Sequence, residues 1–239
     1  MDKLAVVVGS DGGIGKEIVY QLLDNDYKVI GLDLNNNIFL DNFEFYKIDI
    51  GDSKKLYQFD FENFNFGDYN VLINAAGIRE ILPLLDLDLT QWEEVISINL
   101  TAPFILSKNF CRKLVAEDKK GSIVNIASVS GMMGEPDRTA YVSSKHGLIG
   151  LTKQFAIEFG RKGIRCNSIS PAITRTSMTE AYFQDEKILE KIKNGIYSTR
   201  VGEPKDIANV TLLLANKDSL FINGSNFVVD GGWTCGKDL

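Results

Sequence analysis

Short apolar runs rich in β-branched residues recur along the chain, and each gives way to a longer amphipathic stretch. Runs of that kind bounded by turn residues read as strands, here near residues 4–8, 28–32, 44–48, 70–73, 122–127, 164–169 and 226–229. Strands alternating with amphipathic segments are the pattern of a parallel sheet with helices on both faces. Glycine and proline fall mostly at the junctions, and no internal repeat is visible. The expected architecture is α/β: a doubly wound parallel sheet of about seven strands, forming one domain over residues 1–239. Residues 41–70 stand apart, because they are rich in Phe, Tyr, Asp and Asn. Within them Phe59-Asp-Phe-Glu-Asn-Phe-Asn-Phe predicts an abbreviated helix followed by a loop, its aromatics packed against the sheet edge.

Composition narrows the function classes. With 239 residues, 44% apolar and 24% charged, the chain is long enough for one well-covered core. A net charge of −6 gives no basic footprint for nucleic acid or for anionic lipid. The longest apolar runs are too short to span a bilayer, and Met1-Asp-Lys leads straight into the first strand, leaving no room for a signal peptide. Cys111, Cys166 and Cys235 are widely spaced and the only histidine is His146, so neither a metal site nor a disulfide framework can be read. A reducing cytoplasm is the expected location, with Cys111 and Cys166 as small core residues.

The first strand ends in Gly9-Ser-Asp-Gly12-Gly13-Ile-Gly15, and a helical pattern follows. Glycines let the backbone turn with positive φ and approach a pyrophosphate, which then meets free N–H groups at the helix N-terminus. A phosphate-cradling NTPase loop is excluded, because Lys16 is followed by Glu17 rather than by Ser or Thr. The plain alternative is a tight turn. Asp33 closes the next strand eighteen residues after Gly15. An acid there accepts hydrogen bonds from the adenosine ribose hydroxyls and repels a 2′-phosphate, which favours NAD over NADP; alone, it is equally a strand-end turn residue.

Tyr141 and Lys145 lie four residues apart in Thr139-Ala-Tyr-Val-Ser-Ser-Lys. On a helix they share one face. An ammonium beside a phenol favours the phenolate and so lowers its pKa, which makes a general acid/base. A surface Tyr-Lys pair is the bland alternative.

Together these segments resemble the classical short-chain dehydrogenase/reductase family over residues 4–232. Asp49-Ile50 is similar to the family's adenine-contacting pair, Asn74-Ala75-Ala-Gly77 to its Asn-Asn-Ala-Gly motif, and Pro171-Ala-Ile173-Thr-Arg-Thr176 to the segment that meets the nicotinamide. Asn99 matches its helix asparagine, and Ser128, thirteen residues before Tyr141, its catalytic serine. Val8, Ala75 and Ala172 stand where the family usually has Thr, Asn and Gly. The resemblance implies a Rossmann-type fold, a homotetramer and NAD as cofactor. It implies cofactor contacts from Gly9, Asp11, Gly13, Ile14, Gly15, Asp33, Asp49, Ile50, Asn74, Ala75, Gly77, Tyr141, Lys145, Pro171, Ile173 and Thr176, and no metal. In the implied mechanism Tyr141 exchanges a proton with the substrate oxygen, Ser128 holds that oxygen, Lys145 binds the nicotinamide ribose, and Asn99 braces a proton-relaying water.

Substrate specificity is expected in residues 174–200, a segment long enough to act as a lid. Arg79 and Arg138 offer charges to a carboxylate or other anion, or are ordinary exposed arginines. The leading reading is an NAD-dependent alcohol dehydrogenase or carbonyl reductase for a sugar, polyol, dihydrodiol or hydroxy acid. A 3-oxoacyl-[acyl-carrier-protein] reductase is the alternative, kept open by the basic Lys153 and Arg161-Lys162. A cofactor-sensing binding protein without turnover is the third, of another class.

Overall fold

Seven strands run parallel in one sheet, in the order β3-β2-β1-β4-β5-β6-β7. They are β1 Lys3–Val8, β2 Tyr27–Asp33, β3 Phe43–Lys47, β4 Tyr69–Asn74, β5 Lys120–Ile126, β6 Ile164–Pro171 and β7 Asn226–Val229. This computed structural model describes residues 3–236; Met1 and Asp2, on which the leaderless reading partly rests, lie outside them. Strands appear in all seven expected places, with bounds that move by no more than two residues; β3 and β5 each end one residue earlier than expected. The apolar runs of β1 and β2 suit the sheet interior, because a parallel sheet is covered on both faces and successive side chains point to opposite sides.

On one face Val6, Leu32, Leu72 and Ile123 pack with Leu106, Phe110 and Leu114 of α4, Ala102–Ala116. Phe155 and Ala156 of α5, Thr139–Phe159, join that layer. On the other, Val7, Val29, Ile73 and Val124 pack with Ile18 and Leu22 of α1, Gly13–Leu23. Ile207 and Leu214 of α8, Pro204–Ala215, complete it. The remaining helices are α2 Ser53–Tyr57, α3 Leu89–Ile96, α6 Glu180–Gln184 and α7 Glu186–Gly195. One π-helical turn, Ser97–Thr101, joins α3 to α4 and carries the fully buried Asn99.

The aromatic segment differs from expectation. The short helix, α2, lies ahead of it, capped by the Asp52 carboxylate accepting from the Lys55 N–H at 3.1 Å. Residues 59–66 form turns and irregular backbone instead. Phe61, Phe64 and Phe66 are all buried, and no helical spacing presents all three to one side. They reach from Tyr46 in the edge strand, 4.9 Å from Phe64, to Phe110 of α4, whose ring lies 5.7 Å from Phe61 and 5.3 Å from Phe66. The aromatics thus fill the layer under α4 as well as the edge.

Asp26 and Asn42, immediately ahead of β2 and β3, and Asp118, two residues ahead of β5, adopt left-handed backbone with φ of 63°, 62° and 52°. Short polar side chains tolerate that region where others do not. These turns occupy the rim where strands begin. At the opposite rim the strand order reverses between β1 and β4, which opens a crevice at the carboxyl ends. Cys111 and Cys166 are buried free thiols; burial pushes the Cys111 thiol up to about 12 and raises Cys166 as well, so neither is a ready nucleophile. No helix among the described residues is long and apolar enough to cross a membrane.

Candidate active site

The crevice has two lobes, of about 400 and 360 Å³, which share Ile14, Ala75, Gly77, Thr176 and Met178. Lining the larger are Gly9, Asp11, Gly13, Gly15, Asp33, Asp49 and Ile50. Its floor requires missing side chains. Gly9 has φ +81°, and a Cβ there would stand 2.6 Å from the Ala76 nitrogen; at Gly15 one would stand 1.9 Å from the Gly9 carbonyl oxygen. No side chain caps the N-terminus of α1, so its first N–H groups are left for an anion. A pyrophosphate of a nicotinamide dinucleotide fits this cradle.

Both oxygens of Asp33 are engaged by backbone: Oδ2 accepts from the Asp11 N–H at 2.9 Å and Oδ1 from the Leu34 N–H at 2.7 Å. The Asp11 carboxylate lines the same lobe, held by the Asn37 side-chain amide at 2.6 Å. Lys16, which follows Gly15 directly in sequence, is paired with Asp11 at 3.7 Å.

Ser128, Tyr141, Lys145, Pro171 and Ile173 line the smaller lobe. Tyr141 and Lys145 do share a face of α5, with the ammonium 5.7 Å from the ring centroid. Lys145 donates to the Ile126 carbonyl at 2.8 Å. The electrostatics depart from the sequence reading. Burial raises the Tyr141 phenol; the Ser128 hydroxyl, then Arg138 and Arg79, pull it down, while Glu135 raises it. Lys145 is itself pushed down to about 8 by burial. No carboxylate pairs with Lys145 among the described residues, and at the phenol it is burial, more than any neighbouring charge, that dominates.

Two expected site residues line neither lobe. The Asn74 side chain is buried, donating to Asn125 Oδ1 at 2.7 Å and Ser107 Oγ at 3.2 Å. Asn99 clamps Ile78, accepting from its N–H at 2.9 Å and donating to its carbonyl at 2.8 Å, and also donates to Ser144 Oγ at 3.1 Å. It still borders the site, since a Cβ on Gly77 would meet Asn99 Oδ1 at 3.3 Å and Lys145 Nζ at 3.5 Å.

Sequence reasoning missed a chain of polar contacts around the smaller lobe. Ser128 Oγ donates to Ser130 Oγ at 3.2 Å, and Ser130 Oγ to Glu135 at 2.7 Å. Glu135 pairs with Arg138 Nε at 2.8 Å, and Arg138 donates to the Tyr182 hydroxyl. Arg79 lies over the Tyr182 ring, 4.5 Å from its centroid, and donates to the Met178 carbonyl. Glu80 caps α5, accepting from the Ala140 N–H at 2.6 Å. Arg79, Arg138 and, within the expected lid, Tyr182 are in view from the sequence, whereas Ser130, Glu135 and Glu80 are not.

A glycine-cradled dinucleotide crevice meeting a Ser-Tyr-Lys lobe defines a nicotinamide-dependent oxidoreductase acting on hydroxyl or keto groups. A family profile described as Enoyl-(Acyl carrier protein) reductase matches residues 8–234, and the chain belongs to the short-chain dehydrogenase/reductase family. It is 34% identical to the 3-oxoacyl-[acyl-carrier-protein] reductase FabG of Buchnera aphidicola subsp. Baizongia pistaciae, over 96% of each chain. Among solved structures it is similar to 4-hydroxyisoleucine dehydrogenase complexed with NADH, at 45% identity and TM-score 0.92 over 99% of this chain and 100% of that one. A mutant of that enzyme is solved with NADH and succinate, at 44% identity, the same TM-score, and 98% and 100% coverage. A putative 2-deoxy-D-gluconate 3-dehydrogenase from Agrobacterium tumefaciens with bound NADP matches at 29% identity and TM-score 0.91, covering 98% of this chain and 97% of that one.

The depressed Lys145 has a measurable consequence. Between about 8 and the ordinary 10.5 the unfolded chain binds the proton that the native chain has lost, so this group's contribution to stability rises with pH. From about pH 7 to about pH 10, cofactor-free wild-type protein should gain up to roughly 3 kcal/mol relative to Lys145→Met, as read by urea unfolding. A difference that stays flat with pH overturns the assignment of a depressed lysine.

Proposed function

We propose that the chain is an NAD-dependent dehydrogenase that interconverts a secondary alcohol and a ketone on a small hydroxylated compound. The observation that carries this is the convergence of Ser128, Tyr141 and Lys145 on the lobe that adjoins the glycine cradle. A bound nicotinamide supplies the hydride donor or acceptor. Tyr141 gives a proton to the carbonyl oxygen, or takes one from the alcohol, while Ser128 holds that oxygen. Lys145 holds the nicotinamide ribose, and Asn99 fixes the turn at Gly77 and Ile78 against which Lys145 lies. Residues 174–200, which include α6 and α7, are the lid; Met178 and Tyr182 already reach across to Arg79 and Arg138. The kinship with 4-hydroxyisoleucine dehydrogenase, and the succinate held by its mutant, support a hydroxy acid among the sugars, polyols and dihydrodiols considered.

The subunits assemble as a homotetramer in this reading. Exposed apolar side chains on α4, α5 and β7, namely Phe104, Ile157 and Val228, support it, because two isologous patches generate a closed tetramer. Light scattering that returned about the mass of one chain, 26.6 kDa, at micromolar concentration would refute it.

Tyr141→Phe keeps the ring and its packing but removes the transferable proton. Turnover should fall on the order of a hundredfold or more while NAD affinity measured by calorimetry stays nearly constant. Retention of most of the wild-type rate would sink the assignment.

The Asp33 and Asp11 carboxylates both line the larger lobe and support a preference for NAD, since a 2′-phosphate on the adenosine ribose would meet their charge there. Losing a charge-assisted hydrogen bond costs roughly 1.5–3 kcal/mol, so kcat/KM should favour NAD over NADP by at least about tenfold. Asp33→Ser combined with Leu34→Arg should narrow or invert the ratio. Comparable efficiency with NADP in the wild type would overturn the NAD assignment and favour the acyl-carrier-protein reductase reading.

A further inference from the structure

The smaller lobe is more cationic than a neutral alcohol or ketone requires. Apart from the tyrosines, its titratable lining consists of Arg79, Arg138 and Lys145 against Glu135 alone, in a chain whose net charge is −6. These cations differ in what answers them. Lys145 donates to the Ile126 carbonyl, and Arg138 is paired with Glu135. Arg79 makes no ion pair with any carboxylate among the described residues. Its partners are the Met178 carbonyl and the Tyr182 ring, both from the lid. It is half-buried, and desolvation holds its guanidinium below the ordinary range. Removing a cation from water without a counter-ion is costly. A cost of that kind in the wall of a reaction cavity is relieved by an anionic ligand, and the planar guanidinium fork matches a carboxylate.

We propose that Arg79 reads a carboxylate on the substrate, so that the chain acts on the anion of a small hydroxy or oxo acid. The inference rests on the dehydrogenase reading above. The carboxylate is a handle that the reaction leaves unchanged; it sets which alcohol reaches Tyr141, and it places Arg79 among the specificity-determining residues. Tyr182, covering the guanidinium and bonded to Arg138, forms the lid side of the same wall.

Matched pairs of 2-, 3- and 4-hydroxypentanoate and their primary amides, with 2-pentanol as a neutral reference, test this through NADH absorbance. The best acid should exceed its amide in kcat/KM by roughly tenfold to a hundredfold, the worth of a hydrogen bond to a charged group. Arg79→Gln should collapse that ratio toward one, mainly through KM, while Arg79→Lys keeps part of it. Equal efficiency for acid and amide in the wild type, or an undiminished ratio in Arg79→Gln, overturns the proposal. A second arm needs no turnover: calorimetric titration of the NAD-loaded wild type with 4-oxopentanoate and with 4-oxopentanamide should show the same preference for the acid. If no hydroxylated compound is oxidised, the dehydrogenase reading falls, whereas equal binding of the two oxo compounds removes the carboxylate role of Arg79 alone.

Discussion

The buried Glu80 carboxylate accepts from the backbone N–H groups of Ala140 at 2.6 Å and Tyr141 at 3.1 Å, and this contact fixes where α5 begins. The helix has no side-chain cap of its own, so an acid from sixty residues away satisfies its orphan donors and complements its dipole. A start displaced by one residue would rotate the helix face by about 100°. Tyr141 and Lys145 would then leave the lobe together. Asn99 on Ser144 and the Ile126 carbonyl on Lys145 hold the next turn of the same helix, so its first two turns are tied to three separate elements.

Residues 75–80 connect the two lobes for a related reason. Ala76 comes so close to Gly9 that no side chain fits between them, and Gly77 lies against both Asn99 and Lys145. Arg79 and Glu80 then project to opposite tasks, one toward the lid and one into the start of α5. Geometry at the glycine cradle and geometry at the phenol are therefore set by one short stretch of backbone.

Much of this was readable from residue order because the signals are local. The inner strands β1 and β2 follow from short apolar runs, and the cradle from glycines whose absent side chains are the requirement. Tyr141 and Lys145 announce themselves through helical spacing. The Ser130, Glu135, Arg138 and Tyr182 contacts join loops to a lid helix with no period to reveal them. Residues 59–66 misled for a different reason: aromatic density predicts burial, but the backbone carrying it is decided by where Phe110 stands. Spacing shows that Lys145 is near the phenol and says nothing of how dry the surroundings of both groups are, and burial is what raises the one and lowers the other.

The turns at Asp26, Asn42 and Asp118 lie at the far rim, a full strand length from the crevice. Such connections run over the surface and tolerate altered length and sequence, whereas at the crevice rim an added methyl on Gly9 or Gly15 collides with main chain. The far rim has one such point of its own, Gly121, whose Cβ would lie 2.5 Å from the Asn70 carbonyl oxygen, but its turns lie away from the crevice. Changes in loop length are easiest to absorb at the first rim, whereas at the second the glycine cradle holds its backbone fixed and new specificity is left to the side chains around it and to the lid.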